Sequence, residues 1–136
     1  MEAISGAFKE RYIIDPVACV ECGVCGWICP DDAVLDQHGT LVPRIFRRNR
    51  PRPNLVQELC NGCSVCLDYC PFDCRGLIGR RHDGFAWLAH PERCVGCGEC
   101  AESCIKGAIQ MRPFDLREYD AAAEAARLEQ LLRKAG

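Results

Sequence analysis

The chain has 136 residues and a formal net charge of −2, and its hydrophobic fraction of 49% includes thirteen cysteines. That is a thin hydrocarbon core for one compact domain, or one domain with an insertion, so something besides apolar burial has to hold the chain together. An odd number of cysteines in tight, evenly spaced clusters, behind an N-terminus with no apolar signal segment, argues against a secreted disulfide scaffold. No apolar run approaches the roughly 20 residues of a membrane span, and a reducing, cytoplasmic setting is expected.

In chain order, Tyr12-Ile13-Ile14 reads as a short strand, and Pro16 follows it three residues before Cys19. CVECGVCGWICP then places Cys19, Cys22, Cys25 and Cys29. Ala33 and Val34 open a return strand, and Asp36-Gln37-His38-Gly39 is a turn into Thr40-Leu41-Val42. The basic stretch RIFRRNRPRP carries Arg44, Arg47, Arg48, Arg50 and Arg52, with Arg80 and Arg81 further on. It reads either as a solvated connector that Pro51 and Pro53 keep extended, or as a docking surface for an acidic partner. Without interleaved aromatic residues it does not suit nucleic acid.

Asn54 to Leu59 lead into CNGCSVCLDYCP, which places Cys60, Cys63, Cys66 and Cys70, with Cys74 just beyond. This approach has no proline matching Pro16. Phe85-Ala86-Trp87-Leu88 reads as a second leading strand, and Pro91 again stands three residues before a cysteine. CVGCGECAESCI places Cys94, Cys97, Cys100 and Cys104, followed by Ile105 where the other motifs have proline. Ala108 and Ile109 then repeat the Ala33-Val34 pattern. At the C-terminus, Asp115 and Glu118 resemble a capping box, with Phe114 and Tyr119 as its staple. Ala121, Ala125, Leu128 and Leu132 follow at helical spacing, with Glu129 and Arg133 one turn apart, so a helix is expected from about 115 to 134. It could pack on the core or on another subunit. His38, His82 and His90 fall at turns and strand ends and read as solvated; Trp27 and Trp87 read as core residues.

The three motifs share one spacing of x2, x2, x3. Three thiolates two residues apart sit on a loop that can curl around a cube of iron and sulfide. Gly23, Gly62, Gly96 and Gly98 let the backbone approach closely, and loop amides can point at anionic sulfur. The fourth cysteine lies on the short helix after the loop, which carries it away from its own triad. Structural zinc sites have no use for a third cysteine at this spacing, repeated three times.

These residues resemble the bacterial-type 4Fe-4S ferredoxin family. The resemblance implies an α+β fold of two pseudo-twofold βαβ halves, and three 4Fe-4S clusters as cofactors. We expect a polyferredoxin domain over residues 1–112, a cluster-bearing insertion over about 44–82, and a C-terminal amphipathic helix within 113–136. The matching prolines pair the first and third motifs. One cluster would take Cys19, Cys22, Cys25 and Cys104, and a second Cys94, Cys97, Cys100 and Cys29. The third would take Cys60, Cys63 and Cys66 with Cys74 or Cys70, Cys74 being favoured. Alternatively, Cys74 is a small buried residue at an alanine position. A competing arrangement pairs the middle motif with a neighbour in sequence.

No acid–base pair or nucleotide loop is visible, and full cysteine ligation leaves no open iron for a substrate. The expectation is therefore an electron carrier and not an enzyme. Three cubes with their thiolates add about −2 each, so the loaded chain needs cations and backbone dipoles nearby, and the basic stretch could dock to a neighbouring cluster's field as well as to an acidic partner. The chain also resembles the small polyferredoxin subunits of molybdenum or tungsten pterin oxidoreductases, such as tungsten aldehyde oxidoreductases and aryl-CoA reductases. That resemblance implies a catalytic oxidoreductase subunit as partner, and self-association into longer electron wires is a further option. The rival functions are a free diffusible ferredoxin shuttle and a non-redox maturation or sensor protein.

Overall fold

A computed structural model describes residues 2–113 and 117–135. The first module is small. β1 (Ile4–Ser5) pairs antiparallel with β2 (Ile13–Ile14), and α1 (Val24–Ile28) follows the first cysteine loop. The Asp36 turn forms as expected: its carboxylate accepts the amide hydrogens of His38 and Thr40 at 2.9 and 2.8 Å, and Leu35 bridges to Leu41. A single 3-10 turn, Arg47–Asn49, leads out of the module.

The rest of the chain folds as two antiparallel strand pairs around two short helices. β3 (Pro51–Leu55) pairs with β6 (Ile109–Pro113), from Pro51 opposite Pro113 to Leu55 opposite Ile109. β4 (Arg75–Arg80) and β5 (Asp83–Leu88) form a hairpin that turns at Arg81 and His82. α2 (Val65–Asp68) and α3 (Glu99–Glu102) pack on one another between these pairs. In β5 the pleat turns Gly84, Ala86 and Leu88 inward. Ala86 meets Cys66, Cys100 and Ile109 in one core cluster, and Leu88 meets Cys74 and Cys94 in the other. Cysteine thus supplies much of the buried surface.

This architecture corrects the expected insertion over 44–82. The middle and third motifs share one unit, closed by β3 against β6 and joined by the β4–β5 hairpin, and the first motif stands in the appended module. The physical reason is local: the return strand of the middle motif and the leading strand of the third are separated by two turn residues, so they pair with each other. Pro51 and Pro53 do keep the basic stretch extended, but as part of β3. In a two-stranded sheet every strand is an edge, and proline is tolerated there.

The C-terminal helix α4 spans Ala121–Ala135. It starts later than expected, because Asp120 is the cap: its carboxylate accepts the Ala123 amide hydrogen at 3.0 Å. Phe114 and Asp115 lie outside the described residues, and Glu118 sits in a turn. α4 packs back on the β4–β5 hairpin, with Leu128 at 0% exposure and Leu132 against Gly79. Arg127 reaches Gln57 at 2.8 Å and the Tyr119 hydroxyl donates to the Leu88 carbonyl at 3.0 Å. Leu128→Ala is expected to cost about 2–4 kcal/mol through the cavity it leaves. Anaerobic denaturant titration checks this, and a loss below about 1 kcal/mol would mean that the helix contributes little to this unit.

Candidate functional site

The three cysteine motifs are conformational copies. Each loop carries a left-handed residue two positions after its first cysteine: Glu21 (φ 54), Gly62 (φ 70) and Gly96 (φ 82). A second follows the middle cysteine, at Gly23, Ser64 and Gly98, and starts the short helix. A third comes three residues past the fourth cysteine, at Asp32, Asp73 and Gly107. After that turn, the amide four residues beyond the fourth cysteine donates back to its sulfur. The pairs are Ala33 to Cys29 at 3.4 Å, Cys74 to Cys70 at 3.5 Å and Ala108 to Cys104 at 3.3 Å. Cys74 therefore stands where the other copies have alanine.

The glycines differ in what they face. A Cβ on Gly62 would lie 2.7 Å from the Gly84 amide nitrogen and carbonyl oxygen at the start of β5. One on Gly96 would collide with the Pro51 carbonyl at the start of β3. Each of these loops thus presses on a strand from the other half of the unit. Glu21 carries a side chain at the same position, and its presence was the sequence signal that the first motif lies outside the pair.

Cys60, Cys63, Cys66 and Cys104 line one cavity, floored by Leu55, Ala86 and Ile109. Cys94, Cys97, Cys100, Cys70 and Cys74 line a second, with Pro53, Phe72 and Met111. Cys104 thus lines the cavity of the middle triad, whereas the expectation grouped it with Cys19, Cys22 and Cys25. Cys70 and Cys74 both line the cavity of the third triad, whereas one of them was expected beside Cys60, Cys63 and Cys66. Cys29 is not among the residues lining the third triad's cavity. The cause is the short helix in the middle and third motifs, which carries the fourth cysteine over to the opposite loop. The first triad has its own cavity, where Cys19 and Cys25 meet Ile14, Pro16, Val34 and Asp36.

The electrostatics favour anionic sulfur in places and oppose it in others. Burial pushes the thiols of Cys66 and Cys97 up and that of Cys100 to about 11. A hydrogen bond from the Cys74 thiol holds Cys94 down at about 6, against burial, with help from the Gly96 amide, Arg52 and Arg75. Cys74 is pushed up in turn, first as that donor and then by burial, and its sulfur lies 3.2 Å from the Cys70 sulfur. The burial of three cations, Arg50, Arg52 and Arg75, was missed by sequence reasoning. Arg52 is 0% exposed and Arg75 is 5% exposed. The basic stretch divides accordingly: Arg44, Arg47 and Arg48 are exposed, whereas Arg50 and Arg52 are buried. Nothing in R-x-R spacing distinguishes the two sets. His38, His82 and His90 are all exposed.

Four or five thiols around one small, mostly apolar cavity suit a cube of iron and sulfide, whose four irons take one thiolate each. Gly62 and Gly96 leave the loop backbone in a close approach that no side chain would permit, and orphaned guanidinium groups nearby await an anion.

Comparison with known proteins points the same way. A family profile described as "4Fe-4S dicluster domain" matches residues 59–108, the span of the middle and third motifs. Pyruvate synthase subunit PorD of Thermotoga maritima is 42% identical over 87 residues, covering 62% of this chain and 82% of that protein. The polyferredoxin protein MvhB of Methanothermus fervidus is 28% identical over 107 residues, 73% of this chain and 22% of its own length. The formate dehydrogenase iron-sulfur subunit of Wolinella succinogenes is 30% identical over 107 residues, 75% of this chain and 51% of that subunit.

Proposed function

Because this chain belongs to the bacterial-type 4Fe-4S ferredoxin family, we propose that it is an electron-transfer subunit that relays single electrons through three 4Fe-4S clusters to or from a catalytic oxidoreductase subunit. The observation that carries the reading is the reciprocal sorting of nine cysteines into two cavities, four in one and five in the other. One cluster takes Cys60, Cys63, Cys66 and Cys104, and its neighbour Cys94, Cys97, Cys100 and Cys70. The two halves, β3–loop–α2–β4 and β5–loop–α3–β6, exchange under a pseudo-twofold that maps each strand pair onto the other, as the pairing of β3 with β6 and β4 with β5 supports. Cys74 fills the alanine position beside Cys70. The third cluster takes Cys19, Cys22 and Cys25 in the appended module. Cys29 is the thiol left to complete it, by giving up the Ala33 amide and turning back to its own loop.

When bound, the clusters supply the one-electron chemistry, and the chain's part is to hold them and set their field. Two features support a subunit over a diffusing shuttle. Exposed apolar side chains concentrate on the first module, where Val17 is 93% and Phe8 86% exposed, with Tyr12, Ile13 and Ile28 beside them. PorD and the formate dehydrogenase protein are, by name, subunits of oxidoreductases. Among the described residues no helix is long and apolar enough to cross a membrane.

Anaerobic native purification with iron, sulfide, molybdenum and tungsten analysis tests the proposal. The expected result is about twelve irons per chain, coeluting with a larger catalytic subunit; molybdenum or tungsten there would identify a pterin enzyme. A lone 15.1 kDa species with reversible clusters would favour the shuttle. About eight irons would leave the first motif without its cluster.

A further inference from the structure

Arg52 and Arg75 are buried cations with no ion pair among the described residues. The Nε and Nη2 atoms of both have no hydrogen-bond partner among the described residues. Arg52 Nη1 has only a long contact to the Pro51 carbonyl, at 3.5 Å. A guanidinium does not shed its proton to relieve burial, and leaving one unpaired in a protein interior costs several kcal/mol. A sequence that retains two such groups has to provide counter-charge.

Among the described residues Cys94 acts on Arg52 and Cys66 on Arg75, while Glu118 and Glu124 line the pocket on the α4 side of Arg75 without forming an ion pair with it. Arg52 lies in β3 against the third motif's loop: Nη1 is 3.0 Å from where a Gly96 Cβ would stand, between Cys94 and Cys97. The charges acting on it are the Cys94 thiol, which favours its cation, and Arg50 and Arg47, which oppose it. Arg75 lies at the start of β4, directly after Cys74 of the third triad's cavity, opposite Leu88, and in one pocket with Leu55, which lines the middle triad's cavity. Its charge reaches Cys66 on one side and Cys94 and Cys100 on the other.

Resting on the cluster assignment above, we propose that Arg52 and Arg75 are built-in counter-ions of the two paired clusters: Arg52 serves the cluster of Cys94, Cys97, Cys100 and Cys70 alone, and Arg75 is shared by both. Their effect on electron transfer follows from sign. Reduction adds one negative charge to a cluster, and a fixed cation inside the same low-dielectric shell stabilises the reduced form. Arg52 therefore raises the potential of one centre of the pair relative to the other and gives the relay a downhill direction. Arg75 raises both.

The test is an EPR-monitored redox titration of the full-length, anaerobically purified wild type, Arg52→Gln, Arg52→Lys and Arg75→Gln, each with its iron and sulfide content. In Arg52→Gln one paired centre is expected to fall in potential, so that at fixed poise its ratio of reduced to oxidised form drops at least tenfold, or about 59 mV for a one-electron couple, while the other stays put. In Arg75→Gln both fall. Arg52→Lys, which keeps the charge, stays near wild type. Should Arg52→Gln fail to load its clusters, loading restored in Arg52→Lys supports the counter-ion role. Failure of both overturns it in favour of a packing role for the guanidinium. Fully loaded Arg52→Gln with unmoved potentials overturns it too. A wild type without iron and labile sulfide would instead defeat the cluster reading itself.

Discussion

Cys74→Ser protein, purified without oxygen, is expected to keep its full iron and labile sulfide, whereas Cys70→Ser loses about four irons. The two residues are separated by one turn and their sulfurs by 3.2 Å, yet they occupy different structural positions. Cys70 matches Cys29 and Cys104, each of which accepts an amide hydrogen bond on sulfur from four residues ahead. Cys74 matches Ala33 and Ala108, which supply that amide. Because Ala108 also lines the middle cavity beside Cys104, the presence of Cys74 at the other cavity wall needs no ligand role. Serine at 74 keeps a donor toward Cys94, and Cys74→Ala merely restores the residue found in the other two motifs. Iron and sulfide analysis with EPR spin counting reads both variants. Loss of a cluster from Cys74→Ser together with a full complement in Cys70→Ser would reverse the assignment.

Gly96→Ala is expected to abolish the cluster of the third motif and to destabilise the paired unit by at least about 2 kcal/mol, while Gly98→Ala costs only about 1. Both glycines are left-handed, at φ 82 and 85. The backbone strain of substituting either is therefore similar, and the difference is steric. A Cβ at 96 runs into the Pro51 carbonyl, which β3 holds in place against β6, whereas at 98 it meets nothing within 4 Å. Moving β3 to make room would also displace Arg52, which lies on the same strand. Anaerobic denaturant midpoints and iron content separate the two variants. Equal losses would mean that left-handed strain alone, and not the packing of this loop on β3, governs the site.

Much of this is legible in the amino-acid order itself. The x2, x2, x3 spacing was visible three times over, and with it the loop, the short helix and the iron–sulfide chemistry, because ligation constrains a short run of neighbouring residues. The strands at Ile13 and Phe85, the Asp36 turn and the C-terminal helix were legible for the same reason: each rests on contacts a few residues long. The pairing of motifs was not. Pro16 and Pro91 suggested that the first and third belong together, but a shared proline reports only how the chain enters a loop. The better signal was the contrast of Glu21 with Gly62 and Gly96, whose meaning depends on what each position faces.

The amino-acid sequence alone thus determined the kind of cofactor and the residues that reach for it. The fold decided which thiols meet, that Cys74 takes an alanine's place, and that two of the arginines in an ordinary-looking basic run and hairpin are sealed inside beside the sulfurs. These are matters of strand register and of which backbone lies against which. Such contacts join residues such as Pro51 and Gly96, or Cys66 and Cys104, that lie far apart in the chain, and nothing in the local sequence of either partner names the other.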